Sequence, residues 1–439
     1  MTCQKFRLVP ALLFALAVLL TQPSASIAQT QSATDEGAAS AATAPTITTF
    51  RFTDKGDDRA GRMTTDAAGN FYVSANLNSS AHPSGFAVLK YKFNGILQGV
   101  FRYTLAPGEF QSGAQAVKVD MQGNIYSVGT SNVSGLVVSF TPSGVQRWVD
   151  RFRGSAGNPI ALAIDKSGNI YVAGNGGHGG SDGVGPILEW IIVKYSNSGQ
   201  VLWEQHHTGT PSLDGRVKDI QLDSAGNPIV FGTTSNSPAT LTNNMTVVKF
   251  DPQGDTLWAR DFAVPNNSLV PGGLAIDRRD NVYVTSVTNP PEGSDIPFTV
   301  KYDPNGVRKF VLQGNGAGGS SVAIDPAGDI LLTGFTMIFG MPALTEATKI
   351  HPSGAKVWVT QIPATGKIVA DSAGNVFVAG TPGFIITKLN AAGAVLFSSS
   401  VLPGDDVTDA VVDPFDDLLV TGDGPNAQFS DDIFTVRLK

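Results

Sequence analysis

Few residues of this 439-residue chain have types and spacings that could do chemistry, and most of those are acidic. Asp54, Asp57 and Asp58 form one group, Asp405, Asp406 and Asp409 a second, and Asp423, Asp431 and Asp432 a third. Carboxylate oxygens suit a hard cation, so the first two groups make a candidate cation cluster, with Ca2+ the ion their chemistry favours. Neither an EF-hand loop nor a calcium nonapeptide is present, and solvated acidic loops are the competing reading. His178, with Asp182 close behind it, is the candidate ligand contact of a Gly-rich stretch, against the plainer reading of a solvated loop histidine.

Other patterns point to less. Gly174–Gly179 and Gly314–Gly319 both match G-x-G-x-x-G, but neither opens a helix in a βαβ unit, which excludes dinucleotide binding. His206 and His207 are neighbours on a strand and point to opposite faces, so they cannot easily chelate one metal. Ser353 and Lys356 have Ser-x-x-Lys spacing, yet Ser353 falls in a repeated turn. No H-E-x-x-H occurs. No catalytic or cofactor-binding residue is therefore assigned.

The elements that must position these residues come from a repeat. An Asp-x-x-Gly-Asn phrase recurs with its aspartate at 66, 120, 165, 223, 277, 325, 371 and 413. Asp280, Asp329 and Phe415-Asp416-Asp417 break the wording in three copies. Asp at the head of a type I turn accepts backbone N–H bonds, and glycine three residues on takes positive φ, so each copy reads as a hairpin. A second phrase follows about 25 residues later, as in Lys194–Gly199 and Lys301–Gly306. Six of its seven copies open on lysine, and a large aromatic follows the turn glycine, as at Trp148, Trp203, Trp258, Phe310, Trp358 and Phe397. The turn aspartates read as structural, the lysines as covering a blade edge or pairing with a turn carboxylate, and the aromatics as packing between blades.

Four strands per unit of 40–50 residues mark a propeller blade. The last unit stops on a third strand, Ile433–Leu438, and the chain supplies an orphan strand, Ile47–Phe52, ahead of the first unit. The sequence thus predicts an all-β fold: an eight-bladed β-propeller of four-stranded antiparallel blades over 47–439, its ring closed by the N-terminal strand. Turns within blades fall on one face, and the loops of variable length fall on the other, where function is expected.

The ends add a location. Lys5 and Arg7, an apolar run from Leu8 to Leu20 and Ser26-Ile27-Ala28 read as a signal peptide over 1–28. Residues 29–46, rich in Ala, Ser and Thr, read as a disordered spacer. Loss of Lys5 and Arg7 with the leader takes the formal charge from −7 to −9, which argues against nucleic acid as a partner. No later segment has the apolar length to insert in a membrane. Cys3 is the single cysteine and leaves with the leader, so thiolate chemistry and disulfides are excluded. The expected protein is an exported monomer, periplasmic or extracellular.

The phrase Asp-x-x-Gly-Asn-Ile-Tyr-Val-x-Gly resembles the bacterial SBBP-type β-propeller repeat, and Lys249–Trp258 is similar to the docking repeat of PQQ-like propellers. The resemblance implies the ring over 47–439. It does not imply the quinone cofactor: the adjacent cysteine pair is absent, and no Glu, Asn and Asp set matches a quinone-bound calcium. The leading expectation is a non-enzymatic binding or scaffold protein whose long-loop face takes a protein, glycan or envelope component. The alternative is a lyase, a hydrolase or a degenerate quinoprotein-like oxidoreductase with its site at the mouth of the ring. Convergent charged side chains in the central channel would favour the enzyme, and a lining of small apolar residues, such as those around Ala161–Ala163 and Val322-Ala323, the scaffold.

Overall fold

Each Asp-led phrase folds as a hairpin for a reason visible atom by atom. Asp120 Oδ1 accepts the backbone N–H groups of Gln122 and Asn124 at 2.9 and 2.8 Å, and Oδ2 accepts Asn124 Nδ2 and Tyr126 Oη at 2.8 and 2.9 Å. Gly123 sits at φ 80°, where a Cβ would be strained. Asp66, Asp165 and Asp277 repeat the pattern with Tyr72, Tyr171 and Tyr283. In three of the four copies whose second strand has no tyrosine, a cation from the third strand takes its place. Lys249 meets Asp223 at 2.7 Å, Lys349 meets Asp325 at 2.6 Å and Arg437 meets Asp413 at 2.8 Å. Both readings of the repeated lysine therefore hold, in different blades.

The computed structural model describes residues 29–31, 45–54, 56–78, 84–109, 112–132, 134–152, 157–178, 187–207, 215–235, 242–289, 295–336, 344–381, 383–402, 406–425 and 431–439. The leader assigned to 1–28 and most of the spacer lie outside them. The described strands form eight antiparallel sheets with the strands in sequential order from the channel outward, and no helix. The innermost strands are Arg59–Thr65, Ser112–Val119, Asn158–Ile164, Arg216–Leu222, Ser268–Ile276, Ser321–Ile324, Thr365–Ala370 and Asp406–Val412. In the eighth sheet Ile47–Phe52 pairs antiparallel with Asp431–Leu438, from Ile47 opposite Leu438 to Phe52 opposite Ile433. The ring closes as the repeat count requires. Gln29–Gln31 adds a fifth strand outside it, with Gln29 opposite Thr49. These polar residues begin the stretch read as spacer. Backbone pairing with an otherwise open edge strand needs no apolar side chains, so a search for apolar periodicity misses it.

No blade has a core of its own. The buried apolar residues fall into eight clusters, each straddling two neighbouring blades, including one between the eighth and the first. A docking contact repeats at the outer rim of these interfaces. The Trp148, Trp203, Trp258 and Trp358 indoles donate to carbonyls of the next blade's outer turn at 2.9–3.1 Å. Each ring also lies over that turn's glycine: a Cβ on Gly199, Gly254, Gly306 or Gly393 would come within 2.6–3.0 Å of it. The first blade has Gly99 in the aromatic position, and Phe101 fills the place against Gly144 instead. Phe50 does the same for the eighth blade against Gly95 of the first. The aromatics are thus inter-blade contacts, as expected.

Two irregular copies gain a latch. Asp280 and Asp416 replace the turn glycine at φ 61° and 66°. Asp280 accepts Ser224 N–H at 2.8 Å, and Asp416 accepts Ser372 N–H at 2.8 Å, each reaching the preceding blade. Asp280→Ala should lose this bond while keeping a strained Cβ, costing about 1 kcal/mol, whereas Asp280→Gly should be close to neutral because relief of positive φ offsets the loss. Urea unfolding of both variants measures the difference.

Candidate functional site

The acidic loops meet where the ring closes. Asp58 N–H donates to the Asp431 carbonyl at 2.8 Å, and Asp431 N–H donates to Asp57 Oδ1 at 3.3 Å. Asp58 is fully buried and accepts the N–H groups of Asp54 and Asn78 at 2.6 and 3.2 Å. Asp423 accepts Ala60 N–H at 3.2 Å. Arg51 pairs with the buried Asp432, Arg102 with Asp54 at 2.6 Å, and Arg59 with Asp57 at 3.5 Å. Burial pushes the carboxyls of Asp58, Asp423 and Asp431 up, and neighbouring carboxylates add to the rise. The structure therefore gathers Asp54, Asp57, Asp58, Asp423, Asp431 and Asp432. Asp406, exposed, lies opposite Asp423 at the mouth, and Asp405 lies outside the described residues. Asp409 belongs elsewhere: it accepts Met63 N–H at 3.0 Å and faces the channel. Among the described residues no group of three or more His, Cys, Asp or Glu side chains is arranged to hold a metal ion.

His178 ends the strand Ile170–His178, and Asp182 lies outside the described residues. His206 and His207 do diverge. His206 sits between Glu204 and Glu189 at 2.6 and 3.0 Å, and His207 packs on Trp190. Burial works against the charge of His206, but Glu204 and Glu189 outweigh it and hold its pKa up, while burial lowers that of His207.

A denser network pins the loop between the first and second blades. Glu109, with 1% of its side chain exposed, accepts Tyr103 Oη at 2.7 Å, Ala106 N–H at 2.8 Å, Ser131 Oγ at 3.0 Å and Arg151 Nη1 at 2.5 Å. Burial alone would raise its pKa; Arg151 and the other donors overcome this and hold it at about 2. Its folded value is depressed, so its contribution is present above the ordinary carboxylate range and is lost as pH falls through that range toward 2. About 2 kcal/mol of local stability should disappear over that window, and Glu109→Gln should flatten the dependence. Hydrogen exchange of the loop against pH measures it.

The channel holds the charged residues that the repeat did not flag. A cavity of about 500 Å3 runs along it, lined by all eight innermost strands. The residue four before each turn aspartate is Arg62, Ala116, Ala161, Asp219, Gly273, Ser321, Lys367 or Asp409, and all of these but Ala161 line the cavity. In six blades the register to the second strand slips at or beside this residue. Such a bulge re-aims side chains, and at the fourth blade Lys218 and Asp219 both line the cavity. Arg62 reaches three blades away to Asp219 Oδ1 and the Lys218 carbonyl, both at 2.7 Å. Lys367 stands 3.6 Å from Asp409. Burial would raise Asp219, but Arg62, Lys118 and Lys367 hold it low; burial and the charges of Lys367 and Arg62 lower Lys218. The lining is uncharged at Leu162, at Gly272–Ile276 and at Ser321–Ile324, and charged residues enter it from the first, second, fourth, seventh and eighth blades. A position-by-position reading of the repeat could have found this layer: its residue type changes from blade to blade while the turn wording stays constant.

Comparison with known proteins agrees with the ring. The family model described as the SBBP β-propeller repeat matches residues 257–290, from the outer strand of the fourth blade through the second strand of the fifth. No curated protein matches the chain. Solved structures similar to it include virginiamycin B lyase from Staphylococcus aureus, at 11% identity over 80% of this chain and 97% of that one, TM-score 0.46. Polysaccharide lyase Uly1 is similar at 11% identity over 74% and 89%, TM-score 0.46. YCF48 bound to D1 peptide is similar at 10% identity over 89% and 96%, TM-score 0.44. Likeness at these values carries no argument about the site.

Proposed function

This chain is a β-propeller repeat protein, and we propose that it is an exported, non-enzymatic binding or scaffold protein. Its long-loop face takes a protein, glycan or cell-envelope component in the periplasm or outside the cell. The observation that carries the reading is how the repeated polar groups are used. Turn aspartates bind their own hairpins, lysines reach carbonyls of the next blade, as Lys194 to Pro252 at 2.8 Å, and tryptophans do the same. That leaves the variable loops as the part of each unit that the repeat does not dictate.

A second reading, an enzyme at the mouth of the ring, has one observation in its favour: Arg62, Lys218 and Asp219 converge in the channel, with Lys218 held low. Against it, the described channel lining contains no His, Cys or Tyr.

The test is capture of envelope components on the tagged chain, with one variant per face. Asn78→Lys with Asp406→Lys alters the long-loop face, and Met121→Glu alters the short-turn face, where Met121 is 83% exposed. A component lost only with the first variant supports the reading; loss only with the second contradicts it. The acidic seam gets its own measurement. Its carboxylates already accept backbone N–H groups and arginines, so melting should be the same with Ca2+ and with chelator. A Ca2+-dependent rise would place the cation there after all.

A further inference from the structure

We propose that the central channel is a binding site for a small ligand bearing two or more oxyanion groups, carboxylate or phosphate, held by Lys118, Lys218 and Lys367 around the Arg62–Asp219 bridge. Four cations, Arg62, Lys118, Lys218 and Lys367, face one cavity with two carboxylates, Asp219 and Asp409. The excess is positive inside a chain of net charge −7. Arg62 is occupied by Asp219, and Lys367 shares Asp409 at 3.6 Å. Among the described residues the Lys118 and Lys218 ammonium groups have no hydrogen-bond or ion-pair partner.

Uncompensated like charges in a confined, partly desolvated space repel, and low-dielectric walls focus their field on whatever enters. A bound polyanion would relieve that repulsion. There is room for one: the side chains are small at Ala116, Gly273 and Ser321 on blades between the charges, and about 500 Å3 falls within the range of small-ligand sites. The eight-fold repeat gives no structural reason for these cations. No other blade carries lysine at the positions matching Lys118, Lys218 or Lys367, and ring closure uses none of the three lysines. Rigid inner strands hold them, so the site is preformed. The proposal stands apart from the reading of the long-loop face, since the face variants above leave the channel untouched.

Calorimetric titration of the full chain with citrate and with pyrophosphate, against potassium chloride at matched ionic strength, tests it. Binding of either ion is expected. Citrate alone would mark a carboxylate ligand, pyrophosphate alone a phosphate ligand, and both a general oxyanion site. Lys218→Met and Lys367→Met should each weaken binding roughly tenfold or more, while Lys218→Arg should retain it. Lys166→Met, on an exposed turn, should change nothing. If Lys218→Met fails to fold by circular dichroism, Lys118→Met replaces it. Heat no greater than with chloride for both ions, or undiminished binding by the channel variants, would overturn the proposal.

Discussion

Trp258→Ala should lower the unfolding free energy by about 3–5 kcal/mol, the range for emptying a buried aromatic site. Trp258 is 7% exposed and packs in the cluster between the fourth and fifth blades, with Leu269, Val282 and Tyr302. Its ring covers Gly306, which at φ 75° has no Cβ to resist collapse, but that turn is fixed by the Asp303 hydrogen bonds to Asn305 and Val307 and cannot follow the lost ring inward. The cavity term therefore adds to the transfer term. The lost indole N–H bond adds less, because Lys249 also donates to the Pro304 carbonyl, at 3.2 Å. Trp148 and Trp358 are only half-buried, and the same substitution there should cost less. Denaturant unfolding of the three variants ranks them. Equal costs would mean that the docking bond, common to all three, outweighs burial.

Removal of Ile47–Phe52 should have the second large effect. Phe50 is 3% exposed and meets Phe71 at 5.9 Å and Tyr91 at 6.5 Å across the seam. Phe50→Ala alone should cost about 3–4 kcal/mol. Deleting the strand removes that anchor and six paired positions, and leaves Asp431–Leu438 as an open edge carrying Ile433, Phe434 and Val436. An exposed apolar edge is a template for another chain, so the deleted protein should be found as oligomer or aggregate by size exclusion, with Phe50→Ala still monomeric. A monomeric, cooperatively unfolding deletion protein would show that the first blade does not depend on the seam.

Blade number, strand order and closure were legible in the sequence because each rests on local chemistry repeated many times. An Asp-x-x-Gly turn folds from residues within five positions, and eight copies outvote the irregularities at Asp280, Asp329 and Phe415. Even the docking role of the aromatics follows from their spacing after the turn glycine. The acidic seam was half legible. Its three loops could be placed side by side by counting blades, but which carboxylate meets a backbone N–H and which meets Arg51 or Arg102 depends on loop paths that no periodicity encodes. The channel was not legible. Arg62 and Asp219 are separated by 157 positions, and their meeting depends on the ring radius and on bulges that turn both side chains inward. In sequence each is one charged residue in a strand.

The claim on which the rest stands is that a single ring runs from Ile47 to Leu438 and closes on its own ends. A cysteine pair tests it most directly. With Cys3 replaced by serine, Thr49→Cys and Val436→Cys face each other across the closing strands, while Thr49→Cys with Thr435→Cys are one residue out of register. Closure predicts that the first pair oxidises within one chain, shifts mobility on a non-reducing gel and raises the melting temperature, and that the second does not. No intramolecular bond in the first pair, or equal bonding in both, would contradict the closed ring.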